Sequence, residues 1–257
     1  MIRNLLQEKL GKGEIAFGAL IEEPATQIAE ILGLLGFDYL YIDCQHSPMG
    51  MESVAQLIKA AELRGMTPLV RVPQNLPEII IGYLDMGAMG IIVADMDSVE
   101  EAQKAVRAVK YPPKGQRGLS ATRAADFGLK ESLGDYVKVA NRETMVLGML
   151  ESKEGVERID EILATEGLDG VSIGTTDLSK SLGVPGQRND PIVLDAVNKV
   201  ILAGKRRGKY IAISARRGEN AKQYIDKGFD MVTKSLSTLV VEAGHQFLEQ
   251  ARGWTGV

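Results

Sequence analysis

Cysteine and histidine are scarce in this chain of 257 residues. The single cysteine, Cys44, has no partner for an internal disulfide, so the fold does not need an oxidising compartment. Two histidines, His46 and His245, and the absence of CxxC or HExxH spacing exclude the usual zinc-binding motifs. Basic charge is not in excess: 30 Lys and Arg against 34 Asp and Glu give a net charge of -4, which argues against a nucleic-acid partner. No apolar run reaches the roughly 18 residues that a membrane span requires. The first residues, MIRNLLQEKLGKGE, scatter charges where a signal peptide would place an apolar core. The expectation is a cytoplasmic protein that engages neither membrane nor nucleic acid.

Apolar residues, at 45%, are ample for a large core. They fall into short runs: Glu14 to Leu20, Tyr39 to Asp43, Pro68 to Val72, Gly90 to Ala94, Met145 to Glu151, Gly170 to Gly174, Tyr210 to Ser214 and Met231 to Ser235. Each is short and apolar enough to be a strand buried on both faces. Helical patterns separate them. Ser98 to Lys110 opens with a Ser and has Glu101 three residues on, a capping box. Lys153 to Gly167 puts Val156, Ile159, Ile162 and Leu163 on one face. Strand then helix, eight times without a break in composition, predicts a single-domain (β/α)₈ TIM barrel over residues 1–257. A doubly wound open sheet is the competitor. Its phosphate fingerprint is lacking, because Gly11-Lys12-Gly13-Glu14-Ile15-Ala16 fits GxGxxA but precedes a strand. The long irregular stretch Tyr111 to Gly128 is expected to be functional or mobile.

Barrel active sites sit at the C-terminal ends of strands. The candidates there are Asp43 and His46, Arg71, Glu151, the run Gly174-Thr175-Thr176-Asp177, and Lys234 with Ser235. Alternation puts Glu151 on the inward face with Met149, Leu147 and Met145, so its carboxylate needs a partner, either a metal ion or Arg71. Asp177, just past the next strand, adds a second carboxylate. Two such groups suit Mg²⁺ or Mn²⁺. Structural readings stand beside these. Glu151 or Asp177 would serve as a helix cap, Arg71 as an ion-pair partner, His46 as a loop residue, and Lys234 as a salt-bridged lysine instead of a Schiff base. Cys44 is expected to be a small buried hydrophobe facing outward, and His245 a surface or structural residue.

The runs YIDCQHSP (Tyr41 to Pro48), LVRVP (Leu69 to Pro73), LDMGAMGIIV (Leu84 to Val93), KYPPKGQRG (Lys110 to Gly118), LES (Leu150 to Ser152) and EGLDGVSIGTTDLSKSLG (Glu166 to Gly183) together resemble the HpcH/HpaI aldolase family. That resemblance implies a (β/α)₈ barrel assembled as a homohexamer, a trimer of dimers, by exchange of C-terminal helices. It implies cleavage of 4-hydroxy-2-oxo acids to pyruvate and an aldehyde through a pyruvate enolate, with Mg²⁺, Mn²⁺ or Co²⁺. The family's metal carboxylates fall on Glu151 and Asp177, its base on His46, supported by Asp43 and by Asp85 of a neighbouring subunit, and its enolate-stabilising arginine on Arg71. Backbone amides around Gly174, Thr175 and Asp177 would hold the substrate carboxylate. The chain departs from the family pattern at Gln45, Met149, Thr175, Thr176, Ala94, Asp95 and Lys234. Oxaloacetate-type decarboxylation, lysis of CoA esters and a non-catalytic binding barrel are the alternatives.

Overall fold

Eight short strands that are apolar on both faces need both faces covered, and a barrel achieves this by covering one face with helices and closing the other on itself. In the computed structural model, which describes residues 3–215 and 218–253, they do both. Strands β1 (Ala16–Ile21), β2 (Tyr39–Asp43), β3 (Thr67–Val72), β4 (Gly90–Val93), β5 (Met145–Leu150), β6 (Gly170–Ile173), β7 (Tyr210–Ser214) and β8 (Met231–Ser235) form a closed parallel barrel in sequence order. The expected strands are all present, with ends shifted by at most two residues at β1, where Ala16 and not Glu14 begins the ladder.

The barrel interior is a packed core. Tyr39, Tyr41, Leu69, Ile92, Met145, Leu147, Met149, Ala212 and Met231 fill it. Tyr39 lies over Gly18 of β1 and shares a hydrogen bond with Thr233 Oγ1 of β8 at 2.7 Å. A Cβ on Gly18 would come within 2.1 Å of the Tyr39 ring, so β1 must carry glycine there. Helix α1 (Leu5–Gly11) plugs the N-terminal end with Leu6 and Leu10. Its cap, Asn4, ties it to the barrel by donating to the carbonyls of Met89 and Glu143.

Around the outside run α2 (Thr26–Leu34), α3 (Met51–Leu63), α4 (Pro77–Met86), α5 (Val99–Val109), α6 (Leu133–Glu143), α7 (Lys153–Glu157), α8 (Ile159–Leu163), α9 (Thr175–Ser181), α10 (Pro191–Arg207), α11 (Gly218–Lys227) and α12 (Leu236–Arg252). The capping box at Ser98 is half realised. Ser98 Oγ accepts from Glu101 N at 3.2 Å, but the Glu101 carboxylate accepts from Asn75 Nδ2 at 2.6 Å instead of turning back. The single helix expected over Lys153 to Gly167 is broken at Arg158 (φ -97°, ψ 9°), yet Val156, Ile159, Ile162 and Leu163 are all buried as the spacing predicted. The stretch Tyr111 to Gly128 is anchored. Lys110 Nζ donates to the carbonyl of Thr144, Tyr111 N donates to Asn141 Oδ1 at 2.7 Å, and buried Arg117 lies 4.7 Å over the Tyr111 ring.

Candidate active site

The C-terminal mouth of the barrel gathers the inward side chains at the ends of β2, β3, β5 and β6. A cavity of about 320 Å³ opens there, lined by Tyr41, His46, Arg71, Met149, Glu151, the run Gly174 to Asp177, Arg188 and Ser214, among others. Of the residues singled out in the sequence, His46, Arg71, Glu151, Gly174, Thr175 and Asp177 therefore line one space.

Asp43, the last residue of β2, is fully buried. Register sets it beside Arg71 of β3, and the two form a fork-to-fork pair: Arg71 Nε donates to Oδ1 at 2.9 Å and Nη2 donates to Oδ2. Oδ1 also accepts from the backbone amides of Gln45 (2.9 Å) and His46 (3.3 Å). Burial pushes the Asp43 carboxyl up, but the guanidinium and the two amides outweigh it and hold the group below the usual carboxylate range. One carboxylate thus fixes Arg71 and the chain that presents His46. It reaches His46 through the backbone amide. The His46 side chain stands exposed at the rim.

Glu151 follows β5 and points inward. Burial raises its pKa to about 7; the Asp95 amide opposes the rise, while the Asp95 and Asp177 carboxylates add to it. The fork of Arg71 goes to Asp43, so Glu151 has no bidentate cation of its own. Gly174 makes room for it, because a Cβ at that position would lie 2.6 Å from Glu151 Oε2. Asp95 donates its amide to Glu151 Oε1 at 3.4 Å from a left-handed backbone (φ 50°), a conformation uncommon outside glycine. The capping alternatives are closed. Ser152 caps α7, its Oγ accepting from Gly155 N at 2.9 Å, and Gly174 is the cap of α9, with Asp177 inside the first turn. Asp177 Oδ1 accepts from Lys180 Nζ at 3.0 Å.

These oxygens suit a hard cation. Among the described residues no group of three or more His, Cys, Asp or Glu side chains is placed to hold a metal by itself. A two-carboxylate site completed by water and substrate oxygens is the arrangement Mg²⁺ favours. Burial first, and then the neighbouring Asp95 and Asp177 carboxylates, raise the Glu151 pKa, and a bound cation would offset that repulsion.

Four other residues singled out in the sequence lie elsewhere. Asp85, on α4, is outside the cavity of its own chain and pairs with Arg117 at 3.0 Å. Lys234 points to the outer layer and pairs with Glu242 of α12 at 2.7 Å, the salt-bridged alternative. Cys44 packs against the outer core, and burial pushes its thiol up to about 11. His245 is on the exposed side of α12.

The sequence reading missed Tyr41, Glu22 and Arg188. Tyr41 shares the inward face with Asp43. Its hydroxyl is buried without a hydrogen-bond partner among the described residues, and its ring lies 5.8 Å from the Arg71 guanidinium carbon. Alternation along β2 would have found it. Glu22 directly follows β1, and burial and Asp43 raise its pKa while Arg71 and His46 oppose the rise. Arg188 comes from the α9–α10 connection and has no strand-end signal.

A closed parallel barrel with carboxylates, an arginine and a histidine at its C-terminal mouth defines a barrel enzyme of the kind that handles oxyanions beside a cation. The model of the HpcH/HpaI aldolase/citrate lyase family matches residues 21–242, and the chain belongs to that family. It is 38% identical over 235 residues to a hydroxypyruvate/pyruvate aldolase of Roseobacter denitrificans, covering 91% of each chain. To a 5-keto-4-deoxy-D-glucarate aldolase of Salmonella arizonae it is 33% identical over 236 residues, covering 91% of this chain and 90% of that one. A crystal structure of a family member from Burkholderia cenocepacia J2315 superposes with a TM-score of 0.91 at 32% identity, over 97% of this chain and 99% of the other. The protein is accordingly a carbon–carbon lyase of the aldolase class.

Proposed function

We infer that the protein is a divalent-metal-dependent pyruvate aldolase that cleaves a 4-hydroxy-2-oxo acid to pyruvate and an aldehyde. The observation that carries the reading is one cavity that holds Glu151 and Asp177 together with His46 and an Arg71 locked by Asp43. Glu151 and Asp177 would hold Mg²⁺ or Mn²⁺, with Co²⁺ an alternative. When bound, that ion supplies a Lewis acid beside the substrate's 2-oxo group.

The chain's own groups do the rest. Amides of Gly174, Thr175 and Asp177, at the start of α9, hold the substrate carboxylate. His46 takes the proton of the 4-hydroxyl, a task suited to an imidazole at the rim. The C3–C4 bond then breaks, and its electron pair passes into the 2-oxo group as pyruvate enolate. Arg71 places a fixed positive charge where that charge develops, and Asp43 keeps it from reorganising. Reprotonation at C3 returns pyruvate. The aldolase names of the curated relatives support this chemistry over decarboxylation or CoA-ester lysis.

The working unit is a homo-oligomer, a hexamer with exchanged C-terminal helices, in which Asp85 of one subunit reaches the His46 of another. The α12 helix favours this, because Val240, Val241 and Phe247 are exposed along it. Among the described residues no helix is long and apolar enough to cross a membrane, and a cytoplasmic location is the reading that fits the single thiol.

The test is pyruvate release from the aldol adduct of pyruvate and glycolaldehyde, followed by a coupled dehydrogenase. Release should need Mn²⁺ or Mg²⁺, stop with EDTA and return when metal is restored. Undiminished release in exhaustive chelator contradicts the reading.

A further inference from the structure

We propose that the Tyr41 hydroxyl is a further hydrogen-bond donor to the substrate's 2-oxo oxygen as it becomes the enolate oxygen. The inference rests on the aldolase reading and adds a catalytic residue to the same site.

Alternation turns Tyr39, Tyr41 and Asp43 of β2 toward the barrel interior. The fold supplies partners for the outer two. Tyr39 shares its hydrogen bond with Thr233 Oγ1, and Asp43 holds Arg71. Tyr41, between them, is left over. It is 3% exposed, it borders the mouth cavity, and among the described residues its hydroxyl has no hydrogen-bond partner. Buried side-chain polar atoms are nearly always paired, because an unpaired one costs stability. An exception at the edge of a cavity points to an acceptor that arrives with the ligand.

The surroundings specify that acceptor. Asp43 and Arg71 are register partners, so Tyr41 lies one inward layer deeper than the pair. The Arg71 guanidinium carbon is 5.8 Å from its ring centre, and the charges that bear on the phenol include Arg71, Asp43 and Glu151. The hydroxyl thus belongs to the floor under the space between Arg71 and Glu151, where the enolate charge develops. Arg71 has turned Nε and Nη2 to Asp43, so a second donor adds to what its fork leaves over. Leu20 and Met149 complete this part of the floor, and a thioether side chain with three rotatable bonds yields readily to an incoming oxygen. Burial raises the phenol pKa, so the group keeps its proton and acts as a donor, not a base. A buried O–H already in place needs no reorganisation when the charge forms.

The test compares Tyr41→Phe with Tyr39→Phe, each lacking one oxygen. Metal-free Tyr41→Phe should unfold in urea at the wild-type midpoint or a higher one, because it loses an unpaired polar atom and no bond. Tyr39→Phe, which strips Thr233 of its partner, should unfold earlier. Oxalate, a planar dianion shaped like pyruvate enolate, is the binding probe. In titration calorimetry on Mn²⁺-saturated protein, its Kd should rise about 10–100-fold in Tyr41→Phe, the range for a hydrogen bond to a charged acceptor, and hold in Tyr39→Phe. Deuterium exchange into the methyl group of pyruvate should slow by a similar factor in Tyr41→Phe. Unchanged oxalate affinity in that variant overturns the assignment. So does a lowered urea midpoint, which would show that the protein itself pairs the hydroxyl. Exchange by Tyr41→Phe at the wild-type rate sinks only this inference, whereas a wild type that does not exchange sinks the aldolase reading and the inference with it.

Discussion

Asp43 holds two functions on one carboxylate, because its oxygens bind Arg71 and its Oδ1 also receives the His46 amide. Removing its charge leaves a largely buried guanidinium without compensation. Asp43→Asn should lower the unfolding free energy by about 3–5 kcal/mol, the usual cost of breaking a buried pair from one side, in chemical denaturation. His46 and Arg71 should fail differently. His46→Ala should lose aldol cleavage but retain part of any oxaloacetate decarboxylation, which has no hydroxyl proton to remove. Arg71→Ala should lose both, by about 10²–10³ in kcat, as for other lost donors to a developing oxyanion. Steady-state rates for both substrates check this. Glu151 makes a pH statement. Its folded pKa of about 7 exceeds the ordinary 4.5, so in metal-free protein its stabilising contribution is full below pH 4.5 and is lost as pH rises through 7. Metal binding runs the other way, because the ion displaces that proton. Below pH 7 the apparent Kd for Mn²⁺ should weaken by about tenfold per pH unit in titration calorimetry. Glu151→Gln should flatten both dependences.

At the scale of elements, the strands were legible because a doubly buried strand is a short, uninterrupted apolar run, and β2, β7 and β8 have the bounds that the runs define. The break at Arg158 was not legible. The apolar spacing of Val156, Ile159 and Ile162 continues across it, and packing on the barrel, not the pattern, decides the kink. Strand ends named most of the cavity because inward alternation carries Asp43, Arg71 and Glu151 to one mouth. Tyr41 lay within reach of the same rule but reads as core by type. Arg188 was beyond it, because its position depends on how the α9–α10 connection folds back onto Thr176. The role of Asp43 toward His46 also needed coordinates, since sequence cannot distinguish an amide contact from an imidazole contact.

For the whole molecule, α12 leaves the barrel after Leu236 and Leu239 have packed, and then carries Val240, Val241 and Phe247 into solvent. An apolar stripe of that kind calls for cover, and Asp85 sits outside the cavity of its own chain. Assembly should therefore control activity. Val240→Asp with Phe247→Asp should shift the mass in light scattering toward monomer and lower kcat together; an unchanged mass would show that the stripe is covered by no second subunit.

The central claim is that this mouth generates pyruvate enolate between the Glu151–Asp177 carboxylates and Arg71. The most direct measurement is deuterium exchange into the methyl group of pyruvate, followed by NMR in D₂O with Mn²⁺-loaded protein at catalytic concentration and the ion removed before the spectrum is read. The wild type should exchange catalytically, and Glu151→Gln and Arg71→Ala should each exchange at least about 10²-fold more slowly. Exchange at the wild-type rate in both variants would contradict the account.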